Sequence, residues 1–175
     1  MASTFDLALA YTLPNEGGYS NNPADPGGAT NFGIIQRTLE RWNALHPELA
    51  FPADVKELRK DQAGAIYRDE YWRWDGIKAP VVAIKLFDIG VNGGLVTAVK
   101  LLQKAVNTMV NPPLEVDGGL GPKTLDAANR QDPLALLDVV CQAQADYYNA
   151  IVARNPSQAV FLKGWLRRAA QKPEV

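Results

Sequence analysis

Apolar residues recur at helical spacing along most of the chain. Phe5, Ala8, Leu9 and Leu13 lie three and four positions apart, Ser3 or Thr4 can cap the helix they predict, and Pro14 marks its expected end. Glu16 is therefore expected just past a helix terminus. Ile35, Thr38, Leu39, Trp42 and Leu45 predict a second helix, and Asp54 with Glu57 three residues on has the form of a capping box. Asp61 is the expected cap of a third helix containing Ala63, Ile66, Tyr67, Glu70 and Tyr71. The run Val81 to Ile89 is almost wholly apolar and fits a buried strand or a central helix; no other segment of like character could pair with it, so helix is expected. Val99, Leu102 and Val106 place a further helix over Leu95 to Asn107. Pro122, Pro133 behind Asp132, and Asn155-Pro156-Ser157-Gln158 supply first-turn prolines and caps for four more helices or helical turns.

Between the first two helices the pattern breaks. Pro14 to Gly33 holds five glycines, three prolines and four asparagines, a composition for turns that predicts a loop or a short irregular hairpin. A modest seam between Asn107 and Asp117, around Asn111-Pro112-Pro113, is the expected internal boundary, giving regions 1–107 and 108–175 packed together as one globular unit.

Composition narrows the chemistry. A chain of 175 residues, 47% hydrophobic and 21% charged, is long enough for a good core and needs no partner to fold. A net charge of −1 argues against the broad basic surface that binds nucleic acid. One histidine, His46, cannot by itself build a zinc site or a serine-hydrolase charge system, and the one cysteine, Cys141, has no internal partner and is expected in the core. No metal or other cofactor is expected. Met1 to Leu13 has neither basic residues nor an unbroken apolar run, so neither a signal peptide nor stable membrane insertion is expected.

Into the glycine-rich segment the chain sets two carboxylates and a hydroxyl: Glu16, Asp25 and Thr30. Hydrolysis of a glycosidic bond needs a protonated carboxyl beside the leaving oxygen and a second polar group acting on water or opposing the oxocarbenium charge, and these three side chains could supply both. Each has a structural alternative: a solvated loop carboxylate for Glu16, an Asx turn for Asp25, a strand position for Thr30. Tyr19, Tyr71, Trp72 and Trp74 are candidate platforms for sugar rings, with core packing as the competing role. Asn92 could hydrogen-bond a sugar or cap a helix. Phe161, Leu162, Trp165, Leu166 and Ala169 alternate with Lys163, Arg167, Arg168 and Lys172, which reads as a packed terminal helix with a basic outer face.

The segment Glu16-Gly17-Gly18-Tyr19, then Asp25-Pro26-Gly27-Gly28-Ala29-Thr30 and Gly33-Ile34, resembles the signature of glycoside hydrolase family 108, the phage endolysins and related N-acetylmuramidases. Phe87-Asp88-Ile89-Gly90-Val91-Asn92-Gly93-Gly94 is similar to that family's second motif. Asp117-Gly118-Gly119-Leu120-Gly121-Pro122-Lys123-Thr124 resembles a loop of its C-terminal peptidoglycan-binding region. The resemblance implies a mainly α, lysozyme-like fold with a small glycine-rich loop or β-hairpin at the active site. It implies a catalytic region over 1–107, a helical peptidoglycan-binding region over 108–175, and Glu16 as catalytic acid. The order Glu, Asp, Thr, nine and then five positions apart, is also similar to the active-site trio of phage-type lysozymes, which implies that Asp25 and Thr30 hold or activate the attacking water. Tyr19, Tyr71 and Asn92 are the expected substrate contacts.

The implied activity is hydrolysis of the β-1,4 bond between N-acetylmuramic acid and N-acetylglucosamine, for lysis of the host cell. The alternatives are a lytic transglycosylase and a non-catalytic wall-binding module. The implied partner is the peptidoglycan glycan strand, met by a monomer made in the host cytoplasm and acting in the periplasm or wall. A phage membrane-permeabilising protein would give it access.

Overall fold

A computed structural model describes residues 2–21 and 28–174. The chain divides into two compact units, Phe5–Trp72 and Arg73–Val175, the second joined by the first four residues. Among the described residues there are eight α-helices and one two-stranded sheet, so the fold is mainly helical with a small hairpin, as the sequence predicts.

In the first unit, helix α1 (Thr4–Glu16) buries Phe5, Ala8, Thr12 and Leu13. It runs two residues beyond Pro14, so Glu16 is its last residue rather than the first beyond it. A proline this near the end forgoes a single i→i−4 bond, too little to stop the last turn. Strands β1 (Thr30–Asn31) and β2 (Ile34–Ile35) pair antiparallel, Thr30 opposite Ile35 and Asn31 opposite Ile34. The two-residue loop between them, Phe32-Gly33, has φ of 50° and 75°, the backbone of a type I′ turn.

Helix α2 (Gln36–Leu45) buries Leu39 and Trp42, whereas its terminal Leu45 is 64% exposed despite fitting the apolar spacing. Side-chain amides tie down the irregular chain that follows. Gln36 donates to the Ala53 carbonyl (2.8 Å) and accepts from the Val55 N–H (2.8 Å), and the buried Asn31 amide donates to the carbonyls of Val55 (3.0 Å) and Leu58 (3.2 Å). Asp54 caps the short 3-10 turn Val55–Glu57 by accepting from the Lys56 N–H at 2.8 Å. Helix α3 (Lys60–Tyr71) begins ahead of its expected cap: Asp61 lies in the first turn, and Gln62 reaches back to accept from the Arg59 N–H at 3.0 Å. Gly64 of α3 lets Leu9 of α1 approach to 2.9 Å of where a Cβ would stand.

The second unit is built on helix α4 (Pro80–Gly93), buried at every position from Val81 to Gly90. Enclosure on all sides explains why its sequence has no amphipathic period. Helices α5 (Leu95–Asn107) and α7 (Pro133–Arg154) pack on it and on each other, α6 (Pro122–Asn129) packs on α5, and α8 (Ala159–Ala170) packs on α7. Asp132 caps α7 through the N–H groups of Leu134 (3.1 Å) and Ala135 (2.9 Å), as its position before Pro133 predicts.

Two buried charges of α4 secure the end of α8. Lys85 donates through Nζ to the carbonyls of Arg168 (2.9 Å), Ala169 (3.1 Å) and Gln171 (2.9 Å) at the helix C-terminus, where a cation is favoured by the macrodipole. Asp88 accepts two bonds from the Arg168 guanidinium, at 3.0 and 2.9 Å. The loop Asp117 to Gly121 is organised by buried Gln103, which donates to Asp117 Oδ1 (2.7 Å) and accepts from the Gly118 N–H (2.9 Å). Gly118 has φ +84°, and a Cβ there would stand 2.9 Å from Val96, so this position needs glycine for both backbone and space. Cys141 is buried, as expected of a small core residue.

Candidate active site

Glu16 closes α1 and is half-buried. Gly17 follows with φ +76°, the left-handed conformation that ends helices and turns the chain away. Against the Glu16 stem lies the tip of the hairpin: a Cβ on Gly33 would stand 3.1 Å from Glu16 Cβ, 3.3 Å from its Cγ and 2.5 Å from Tyr67 Oη. Only a residue without a side chain fits between them. Phe32 adopts a left-handed φ that costs an aromatic residue free energy, and its carbonyl accepts from Tyr67 Oη at 2.8 Å. Tyr67 thus pins the turn whose glycine meets the carboxylate-bearing residue.

One helical turn on, the Tyr71 ring lies 5.5 Å from that of Tyr67. Burial pushes the Tyr71 phenol above its usual value, the Glu70 carboxylate pushes further, Arg41 opposes, and Glu16 adds to the rise. The phenol is therefore neutral at physiological pH and able to donate a hydrogen bond. Glu70 in turn is held by Arg41 at 2.7 Å. The structure so brings Glu16 together with Gly33, Tyr67 and Tyr71, with the Arg41–Glu70 pair acting on Tyr71.

Tyr19 is 44% exposed, with the Lys56 ammonium 5.8 Å from its ring centre. Thr30 is half-buried on β1, and its main chain exchanges both hydrogen bonds with Ser20 at 2.8 Å. Asp25 lies outside the described residues. Asn92 belongs to the second unit, near the exposed end of α4; its amide donates to Tyr148 Oη (2.8 Å) and accepts from Arg168 (3.4 Å). Trp72 and Trp74, candidate sugar platforms by sequence, are 5% and 1% exposed and serve as core residues. Among the described residues no group of three or more His, Cys, Asp and Glu side chains could hold a metal ion.

Tyr67 and the Arg41–Glu70 pair escaped the sequence reading. In the sequence Tyr67 is only an apolar-face position of α3, and Phe-Gly is not the Asn-Gly or Asp-Gly pair that announces a type I′ turn.

A half-buried glutamate closing a helix beside a glycine-tipped hairpin, on a mainly helical scaffold, is the arrangement of a lysozyme-like glycosidase. The chain belongs to the glycosyl hydrolase 108 family, whose profile matches residues 9–94, and the family described as Predicted Peptidoglycan domain matches residues 97–170. The structure of Brucella abortus SagA is similar over 95% of this chain and 90% of that one, at 34% identity and a TM-score of 0.71. No curated protein matches the chain significantly. The protein is thus a lysozyme-like glycosidase that acts on peptidoglycan.

Proposed function

We propose that the protein is an N-acetylmuramidase that hydrolyses the β-1,4 bond between N-acetylmuramic acid and N-acetylglucosamine, with Glu16 as the general acid. The observation that supports this reading is the packing of the Glu16 stem against the bare Gly33 turn. Glu16 gives its proton to the bridging oxygen as the bond lengthens, and positive charge spreads over the anomeric carbon and ring oxygen. Asp25, aided by the Thr30 hydroxyl, positions and deprotonates a water on the opposite face. That geometry inverts the anomeric centre and calls for carboxyl groups about 6.5–9.5 Å apart, against roughly 5–5.5 Å for retention. Tyr71 donates its neutral hydroxyl to the sugar, Tyr19 offers an exposed ring face, and Asn92 contacts the glycan through its exposed side.

General acid catalysis contributes about a hundred- to ten-thousand-fold, so the nearly isosteric Glu16→Gln should lose activity by that order while melting like the wild type. The assay is digestion of purified peptidoglycan with mass spectrometry of the fragments. A reducing muramic acid end supports hydrolysis; an anhydro end would mean a transglycosylase, and sacculus binding without a fall in turbidity a non-catalytic module. Undiminished turnover by the variant would defeat the assignment of Glu16.

The biological setting follows as part of the proposal. The enzyme is a phage endolysin, made as a monomer in the host cytoplasm and reaching the wall through a lesion opened by a phage membrane-permeabilising protein. No described helix is long and apolar enough to cross a membrane. Cells expressing the protein alone should stay intact until the inner membrane is permeabilised, and prompt spontaneous lysis would contradict this route.

A further inference from the structure

The second unit has a groove of about 580 Å³ between α5 and α7 that the catalytic reading leaves unused. The volume lies within the range of about 300–1,000 Å³ usual for small-ligand sites. Along α7 the lining runs from Val139 to Arg154, which at the helical rise is about 22 Å, the reach of a short extended peptide. The floor is formed by Ala105, Val139, Ala143, Ala150 and Ile151, small apolar groups that accept methyl-sized side chains.

Half of the groove's polar residues are charged: Lys104, Asp146 and Arg154. Lys104 and Arg154 are exposed and form no ion pair among the described residues. Asp146 is exposed as well, engaged by the Gln142 amide at 2.8 Å and left with acceptor capacity. Tyr147 adds a half-buried ring. Two uncommitted cations, one carboxylate and an alanine-sized floor suit a ligand with more than one carboxylate, one amine and small side chains. A glycan strand, largely uncharged and broad, matches this poorly.

We propose that this groove binds the peptide stem of peptidoglycan, the alanine-rich peptide that carries the polymer's free carboxylates and the amine of its diamino acid. Lys104 and Arg154 take the carboxylates, Asp146 takes the amine, and the floor takes the alanine methyls. The inference rests on peptidoglycan being the substrate, and it deepens that reading by giving the C-terminal unit a ligand of its own. Holding the stem would raise the local concentration of wall polymer for the enzyme without altering the chemical step.

The test uses the full chain, the free stem tetrapeptide with diaminopimelate at its third position, and glycan strands stripped of peptide by an amidase. Titration of labelled wild type with the tetrapeptide should shift backbone amide resonances of residues 104–108 and 139–154, a readout that needs no variant. The double variant Lys104→Glu, Arg154→Glu should weaken peptide binding by at least about tenfold. At sub-saturating wall concentration it should slow digestion of intact sacculi while leaving digestion of stripped strands unchanged. No shift at these helices, or wild-type affinity in a folded double variant, overturns the proposal. A chain that binds the tetrapeptide at the groove but cleaves neither substrate would leave the groove standing and defeat the muramidase reading instead. Binding of stripped strands at the same helices would assign the groove to the glycan and overturn the peptide.

Discussion

Gly33→Ala tests the contact on which the candidate site is built. The residue has φ +75°, a conformation costing an L-residue with a Cβ roughly 1–2 kcal/mol. The new methyl would also stand 2.5 Å from Tyr67 Oη, so the Tyr67 hydroxyl must give way and its 2.8 Å bond to the Phe32 carbonyl weakens or breaks, for about 0.5–1.5 kcal/mol more. The sum is about 2–3 kcal/mol, to be read as a shift in the urea midpoint at unchanged m-value. Tyr67→Phe alone should cost about 1 kcal/mol, for one lost hydrogen bond. Combined, the two changes should cost less than their sum by about 1 kcal/mol, because removing the hydroxyl relieves its clash with the introduced methyl. The contact with Glu16 Cβ at 3.1 Å persists in the double variant, so its activity on sacculi should stay low while its stability partly recovers. Strict additivity of the two destabilisations would refute the geometry, as would wild-type activity of Gly33→Ala.

Other outcomes follow from the second unit. Lys85→Met removes the ammonium shared by the carbonyls of Arg168, Ala169 and Gln171 beside an intact Asp88–Arg168 pair, and should destabilise by about 3–5 kcal/mol in chemical denaturation. Burial lowers the Lys85 pKa below 10.5, so the contribution of its titration to stability is most favourable above 10.5 and is lost as pH falls through the folded value. The wild type's melting temperature should show that alkaline rise and Lys85→Met should not. The Asp117 carboxyl is held below its usual 3.8 by the Gln103 amide and then the Gly119 N–H. Its contribution is complete above 3.8 and is lost as pH falls through the lower folded value, so Asp117→Asn should flatten the acid limb of the melting curve, and an unchanged limb would refute this.

Much of the fold was legible because its signals are local. The three-four spacing of Val99, Leu102 and Val106, the Asp132-Pro133 cap and the turn composition after Pro14 each depend on neighbours within about one turn of chain. Glu16 could be singled out in the same way, from the glycines that follow it.

What the chain order could not announce are pairings between distant residues. The run Val81 to Ile89 was ambiguous between strand and helix because burial on every side erases the period that would tell them apart. Lys85, in that apolar run, becomes intelligible only when the end of α8, more than eighty residues on, presents three carbonyls to it. Tyr67 likewise becomes a clamp on the hairpin only once its hydroxyl meets a carbonyl thirty-five residues away. Periodicity and capping are properties of a few consecutive residues and survive in the written sequence. Which buried polar group finds which partner is settled only when packing removes water from both and leaves each to satisfy the other.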